Sequence, residues 1–92
     1  MKTNNYYSVY DKKAGEYGIL MMKLNDAVAV RELKAAVNKK GNPLNEFNED
    51  FALYKIGRFD IEQGVFEQRT QDIKPVLVVE CAALLEEENG NK

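Results

Sequence analysis

The 92-residue sequence has no histidine, no tryptophan and a single cysteine, Cys81. Without histidine and with one thiol, a zinc site of the Cys/His kind cannot be assembled within one chain, and triads or histidine-based proton transfer fall with it. The lone Cys81 cannot close an internal disulfide and fits a reducing compartment. No apolar run approaches the ~20 residues that a membrane helix needs; the longest, "PVLVV", is strand-sized. The first residues, "MKTNNYYSVYD", lack the apolar core of a signal peptide, so the chain is expected to stay in a cytoplasm, with no membrane partner. Neither a Gly-x-Gly-x-x-Gly nor a P-loop pattern occurs. Glu46, Glu49 and Asp50 lie close together, but acid/base work needs a cleft that separates their pKa values, and a solvated acidic loop is the simpler reading. The expectation is a non-enzymatic protein with no metal and no cofactor.

What is present is a charge asymmetry and an unusual set of aromatics. The net charge is −2, yet residues 1–58 carry ten Lys/Arg against seven Asp/Glu, while residues 59–92 carry three against eight. A basic front and an acidic back hint at nucleic-acid contact with an acidic tail. The apolar fraction of 45% and the length suit one domain. It is expected over residues 1–80, with 81–92 a short helix or mobile acidic tail.

"YYSVYDKKAGEYGILMMKL" reads as two strands, near Tyr6–Asp11 and Tyr17–Leu24, joined by a Lys-Lys-Ala-Gly turn. "NDAVAVRELKAAVNKKG" reads as a helix, with Asn25 as N-cap, Asp26 in the first turn, Lys39 and Lys40 in the last, and Gly41 as the stop. Ala29, Val30, Leu33, Ala36 and Val37 fall on one face of it, which must lie on the sheet. "NPLNEFNED" is expected to be irregular, with Phe47 plugging the core. A second hairpin follows, Phe51–Phe59 and Val65–Gln68, around a turn closed by Gly64. "VLVV" predicts a fifth strand, Val76–Glu80, internal to the sheet or covered by a second subunit because it is apolar on both sides. The fold class is therefore α+β: a small antiparallel sheet, ββαββ plus the fifth strand, with one helix on one face. One helix leaves the other face bare. Ile19, Met21, Val76 and Val78, or their alternates, are expected to make an apolar patch there that closes a homodimer, unless the C-terminal segment folds back over it.

Four of the five tyrosines, Tyr6, Tyr7, Tyr10 and Tyr17, cluster in the first hairpin, and Tyr54 lies in the second. Single-stranded nucleic acid is held by aromatic faces that stack bases and by cations along the phosphates. Tyr6 and Tyr10 share a face with Ser8, and Tyr7 with Val9, so Tyr6 and Tyr10 are the stacking candidates, joined by Tyr54, whose direction the pattern leaves open. Lys12, Lys13, Lys55 and Arg58 are the phosphate candidates, with Lys23, Arg31 and Lys34 as a secondary basic face. Packing within a half-buried sheet is the simpler account of any one tyrosine, and turn lysines are ordinary solvated residues.

"YSVYDKKAG", "NDAVAVR" and "DFALYKIGRFDIEQG" resemble, in that order and spacing, the small nonstructural protein of gokushovirus-type microviruses, tiny single-stranded DNA phages. The resemblance spans about residues 6–68. It implies a DNA-binding or replication-control protein in the host cytoplasm that helps turn double-stranded replication into single-stranded genome synthesis and packaging, and it implies no catalytic residue. The combined reading is a dimeric protein that binds single-stranded DNA without strong sequence preference. The alternative is a protein-interaction module acting on a replication initiator or on capsid assembly, with the acidic tail engaging the replication partner.

Overall fold

In the computed structural model, which describes residues 2–67 and 74–86, the chain runs β1 (Thr3–Asp11), β2 (Glu16–Tyr17), β3 (Met21–Lys23), α1 (Asp26–Val37), α2 (Pro43–Glu46), β4 (Phe51–Asp60), β5 (Val65–Phe66) and β6 (Val76–Glu80). Single 3₁₀ turns lie at Asn48–Asp50 and Cys81–Leu84. All six strands join one antiparallel sheet. The fold class is α+β, with one main helix.

β1 and β4 are the centre, paired from Thr3 opposite Asp60 to Asp11 opposite Phe51. β2 and β3 follow one another along the outer edge of β1, where a single strand from Tyr17 to Leu24 was expected; the break falls at Gly18–Leu20. β6 and β5 flank β4 in the same way. β6 is therefore an edge strand, not the internal strand that its apolar run suggested, and Val76 and Leu77 are exposed.

Two turns close the hairpins by the same device. Asp11 and Asp60 each accept two backbone N–H groups through one carboxylate oxygen, from Lys13 and Ala14 and from Glu62 and Gln63. Gly15 and Gly64 then close each turn at a φ of 72°, where a side chain is strained. The sequences "DKKAG" and "DIEQG" thus fold alike.

α1 starts where its sequence says, with Asn25 Oδ1 accepting from Val28 N at 2.9 Å. It stops earlier than the predicted Gly41, because Asn45 Nδ2 takes the Val37 carbonyl at 2.8 Å and Asn38 turns aside. Asn38 bonds the Leu84 carbonyl at 2.9 Å and accepts from Glu86 N at 2.7 Å, tying the C-terminal segment to the helix end. Cys81, at the start of that segment, is buried with Tyr7, Ala29, Leu33, Val37 and Leu53 in the core. The segment therefore packs on the helix side. Phe47 does not plug the core; it is exposed, because the Asn42-capped turn of α2 directs Leu44 inward instead.

The helix is anchored to the sheet by a polar contact. Tyr7, fully buried on β1, donates its hydroxyl to Asp26 in the first turn of α1, and Lys55 of β4 reaches the same carboxylate at 3.3 Å. The bond from Tyr7, then Lys55, hold the Asp26 carboxyl below its ordinary value of 3.8. Its contribution is complete above that value and disappears as the pH falls through the lower folded one. Tyr7 runs oppositely: burial first, then donation to Asp26, raise its pKa above the ordinary 10.0. Stability is complete below pH 10.0 and declines as the unfolded phenol ionises above it. Tyr7→Phe is expected to lower stability at neutral pH by about 1–3 kcal/mol, a typical loss for a bond to a charged group. It should also flatten the alkaline decline, as read by urea unfolding at neutral pH and again above pH 10.0.

Candidate nucleic-acid interface

The face of the sheet opposite α1 is aromatic. At one end Tyr10, Tyr17 and Tyr54 form a triad with ring centroids 4.7, 5.9 and 5.6 Å apart. At the other, Tyr6, Phe59 and Phe66 form a second, at 5.9, 5.1 and 5.0 Å. Each triad has the same origin: the residue before the turn aspartate (Tyr10, Phe59), the second residue after the turn glycine (Tyr17, Phe66), and one ring from the opposite central strand. Most of these contacts are edge-to-face, the geometry that ring quadrupoles favour. Ser8 and Ala52 share this face, which no helix among the described residues covers, yet they are 1% and 0% exposed.

The predicted stacking residues Tyr6, Tyr10 and Tyr54 are thus brought onto one surface, together with three rings that were not assigned to it, Tyr17, Phe59 and Phe66. The predicted cations are divided. Only Lys12 stands beside the platform: its ammonium meets Glu80 at 2.6 Å and the Glu49 carbonyl at 3.2 Å, and it lies near Tyr54. Lys13 is exposed at the turn and has no ion-pair partner among the described residues. Lys55 and Arg58 project from the helix side, where Lys55 meets Asp26 and Arg58 forms a two-pronged pair with Glu67 at 2.8 and 2.5 Å. Strict alternation from Tyr54 would put Arg58 on the open face. A bulge removes it: Tyr6 stands opposite Gly57 and Tyr7 opposite Lys55, so Ile56 has no partner and the side chains beyond it change faces.

The secondary basic face is also largely neutralised, with Lys23 paired to Glu32 and Lys34 to Glu86 at 3.2 Å, while Arg31 has no ion pair among the described residues. Of the predicted dimer residues, Met21 and Val78 pack against the core under the helix and do not reach the open face. Ile19 and Val76 are exposed, and the alternates Met22 and Leu77 line the open face beside Tyr6 and Tyr54. Among the described residues no group of three His, Cys, Asp or Glu is placed to hold a metal ion, and no helix is long and apolar enough to cross a membrane.

The family described as Phage ORF5 protein matches residues 4–84, nearly the whole of the described structure. The chain belongs to this family. Protein ORF5 of Chlamydia phage 1 is 37% identical over 65 residues, covering 66% of this chain and 68% of that protein. Both findings bear out the resemblance to the small nonstructural protein of gokushovirus-type microviruses. No solved structure matches. In this chain the block from Asp50 to Gly64 is β4 and its turn, which supply two rings of the platform, its bulge and one of the paired glycine turns. The one thiol lies elsewhere. Burial, then the charge of Glu80, push Cys81 up to about 11. An aromatic disulfide reagent at neutral pH is therefore expected to label Cys81 only at the rate of unfolding, and rapid labelling of the folded protein would contradict this burial.

Proposed function

We propose that this phage protein binds single-stranded DNA without strong sequence preference during genome replication or packaging, with the open face as the surface on which bases stack. The observation that supports this reading is the pair of aromatic triads on a sheet face that no helix among the described residues covers. Stacking on such rings is worth about 1–3 kcal/mol per base and tolerates any base, because each has a π-face. Lys12 beside the platform and Lys13, exposed in the adjoining turn, are the cations available to phosphate. Lys12 must exchange Glu80 for a phosphate, and an exposed ion pair yields readily. No step makes or breaks a covalent bond.

The charge distribution sets the form of the binding curve. Seven cations would give a steep salt dependence, whereas Lys12 and Lys13 alone give a slope of log K against log[salt] near −1.4, from about −0.7 per phosphate. Fluorescence anisotropy with a labelled oligothymidine and a duplex of equal length is expected to show preference for the single strand with this shallow slope. Tyr10→Ala with Tyr54→Ala should cost roughly tenfold or more in affinity, while Lys55→Ala and Arg58→Ala should leave it nearly unchanged. Absence of binding at low salt would reject the reading.

One observation favours a second reading, a protein-interaction module acting on a replication initiator or on capsid assembly. The platform is poor in charge, includes the exposed Phe66 and is bordered by exposed Met22 and Leu77, as a protein interface would be. Under that reading the tyrosine substitutions abolish partner binding and DNA is not bound at all.

A further inference from the structure

The edge formed by β3 is unusual for a protein surface. β3 pairs with β1 on one side, and no strand among the described residues pairs with the other. Four large apolar side chains crowd the six residues around it: Ile19 is 85% exposed, Leu20 46%, Met22 44% and Leu24 64%. Natural edge strands are blunted by proline, bulges or outward charges. β3 has no bulge and no proline, and its single charge, Lys23, is turned onto Glu32 of its own helix. The opposite edge is better protected, since β6 follows Pro75 and is interrupted by a register shift at Val78.

We propose that this edge is completed by β3 of a second copy of the chain, paired antiparallel across a two-fold axis at Met22. An antiparallel edge offers its own copy the complementary set of backbone donors and acceptors, so a two-fold closes without further matching. The side chains select the axis. Centred on Lys23, the pairing sets two ammonium groups face to face. Centred on Met21, it puts Lys23 against Ile19 and Leu24 against Gly18. Centred on Met22, it sets Leu20 against Leu24 on both sides of a Met22 pair, and Lys23 faces Met21, so like charges never meet. Met22 stands opposite Tyr6 and therefore on the open face. The two aromatic platforms then join into one surface, and the pairing stands whether or not that surface binds DNA.

The full chain can be tested directly. Residues facing each other across an antiparallel pair have Cα atoms about 4.5–5.5 Å apart, within the ~4.4–6.8 Å that a disulfide spans. Met22→Cys under mild oxidation is expected to give a covalent dimer in high yield, and Val76→Cys on the other edge is not; buried Cys81 does not compete. Light scattering should give twice the chain mass for the wild type and the single-chain mass for Met22→Glu, with circular dichroism unchanged. A monomeric wild type overturns the proposal. So does a dimer that survives Met22→Glu or that crosslinks through Val76→Cys and not Met22→Cys.

Discussion

One unpaired residue in the central ladder decides what this protein presents to its surroundings. Because Ile56 has no partner across β1, the second half of β4 is turned over relative to the first. Tyr54 and Phe59, an odd number of positions apart, then share a face that alternation would deny them, and Arg58 is carried to the other. Without the bulge the open face would hold one aromatic triad and an arginine. With it, the face holds two triads and is nearly free of charge.

The helix side gathers what the open face has lost. Asp26, Glu32, Glu67 and Glu86 draw Lys55, Lys23, Arg58 and Lys34 into ion pairs on or beside that side of the sheet. Most are exposed pairs of small individual worth. Tyr7 is different, because its buried hydroxyl has no water to turn to and must meet Asp26, which fixes the start of α1 over the middle of β1. Asn38 does the same at the other end of the helix, through the Leu84 carbonyl and the Glu86 amide.

Short-range features of this fold are legible in its sequence. The Asn25 cap, the apolar face of α1, the two glycine turns and the separation of Tyr7 from Tyr6 and Tyr10 all follow from patterns a few residues long. What escaped depends on distant partners. Strict period-two counting cannot reveal a bulge, so it misplaced Arg58, and it could not show that Val78 and Val79 both turn toward the core beside a second register shift. Lys12 looked like a free cation because Glu80, which holds it, lies 68 residues away. Phe47 is the largest apolar residue of its loop, yet the Asn42 cap turns Leu44 toward the core in its place. Charge totals along the chain likewise say little about the surface, since Lys12, Lys23, Lys34, Lys55 and Arg58 of the basic front are paired where the chain folds.

The matching turns at Asp11–Gly15 and Asp60–Gly64 give the two ends of the open face one backbone plan. Each end offers a ring from before a turn, a ring from after it and a ring from the neighbouring strand, related by a rough two-fold through the β1–β4 ladder. The side chains break that symmetry: three tyrosines stand beside the Lys12–Glu80 pair at one end, and one tyrosine with two phenylalanines at the other. The backbone plan is thus nearly palindromic, while the chemistry laid on it has a direction, from a hydroxyl-rich, charged end to one that is hydrocarbon but for Tyr6.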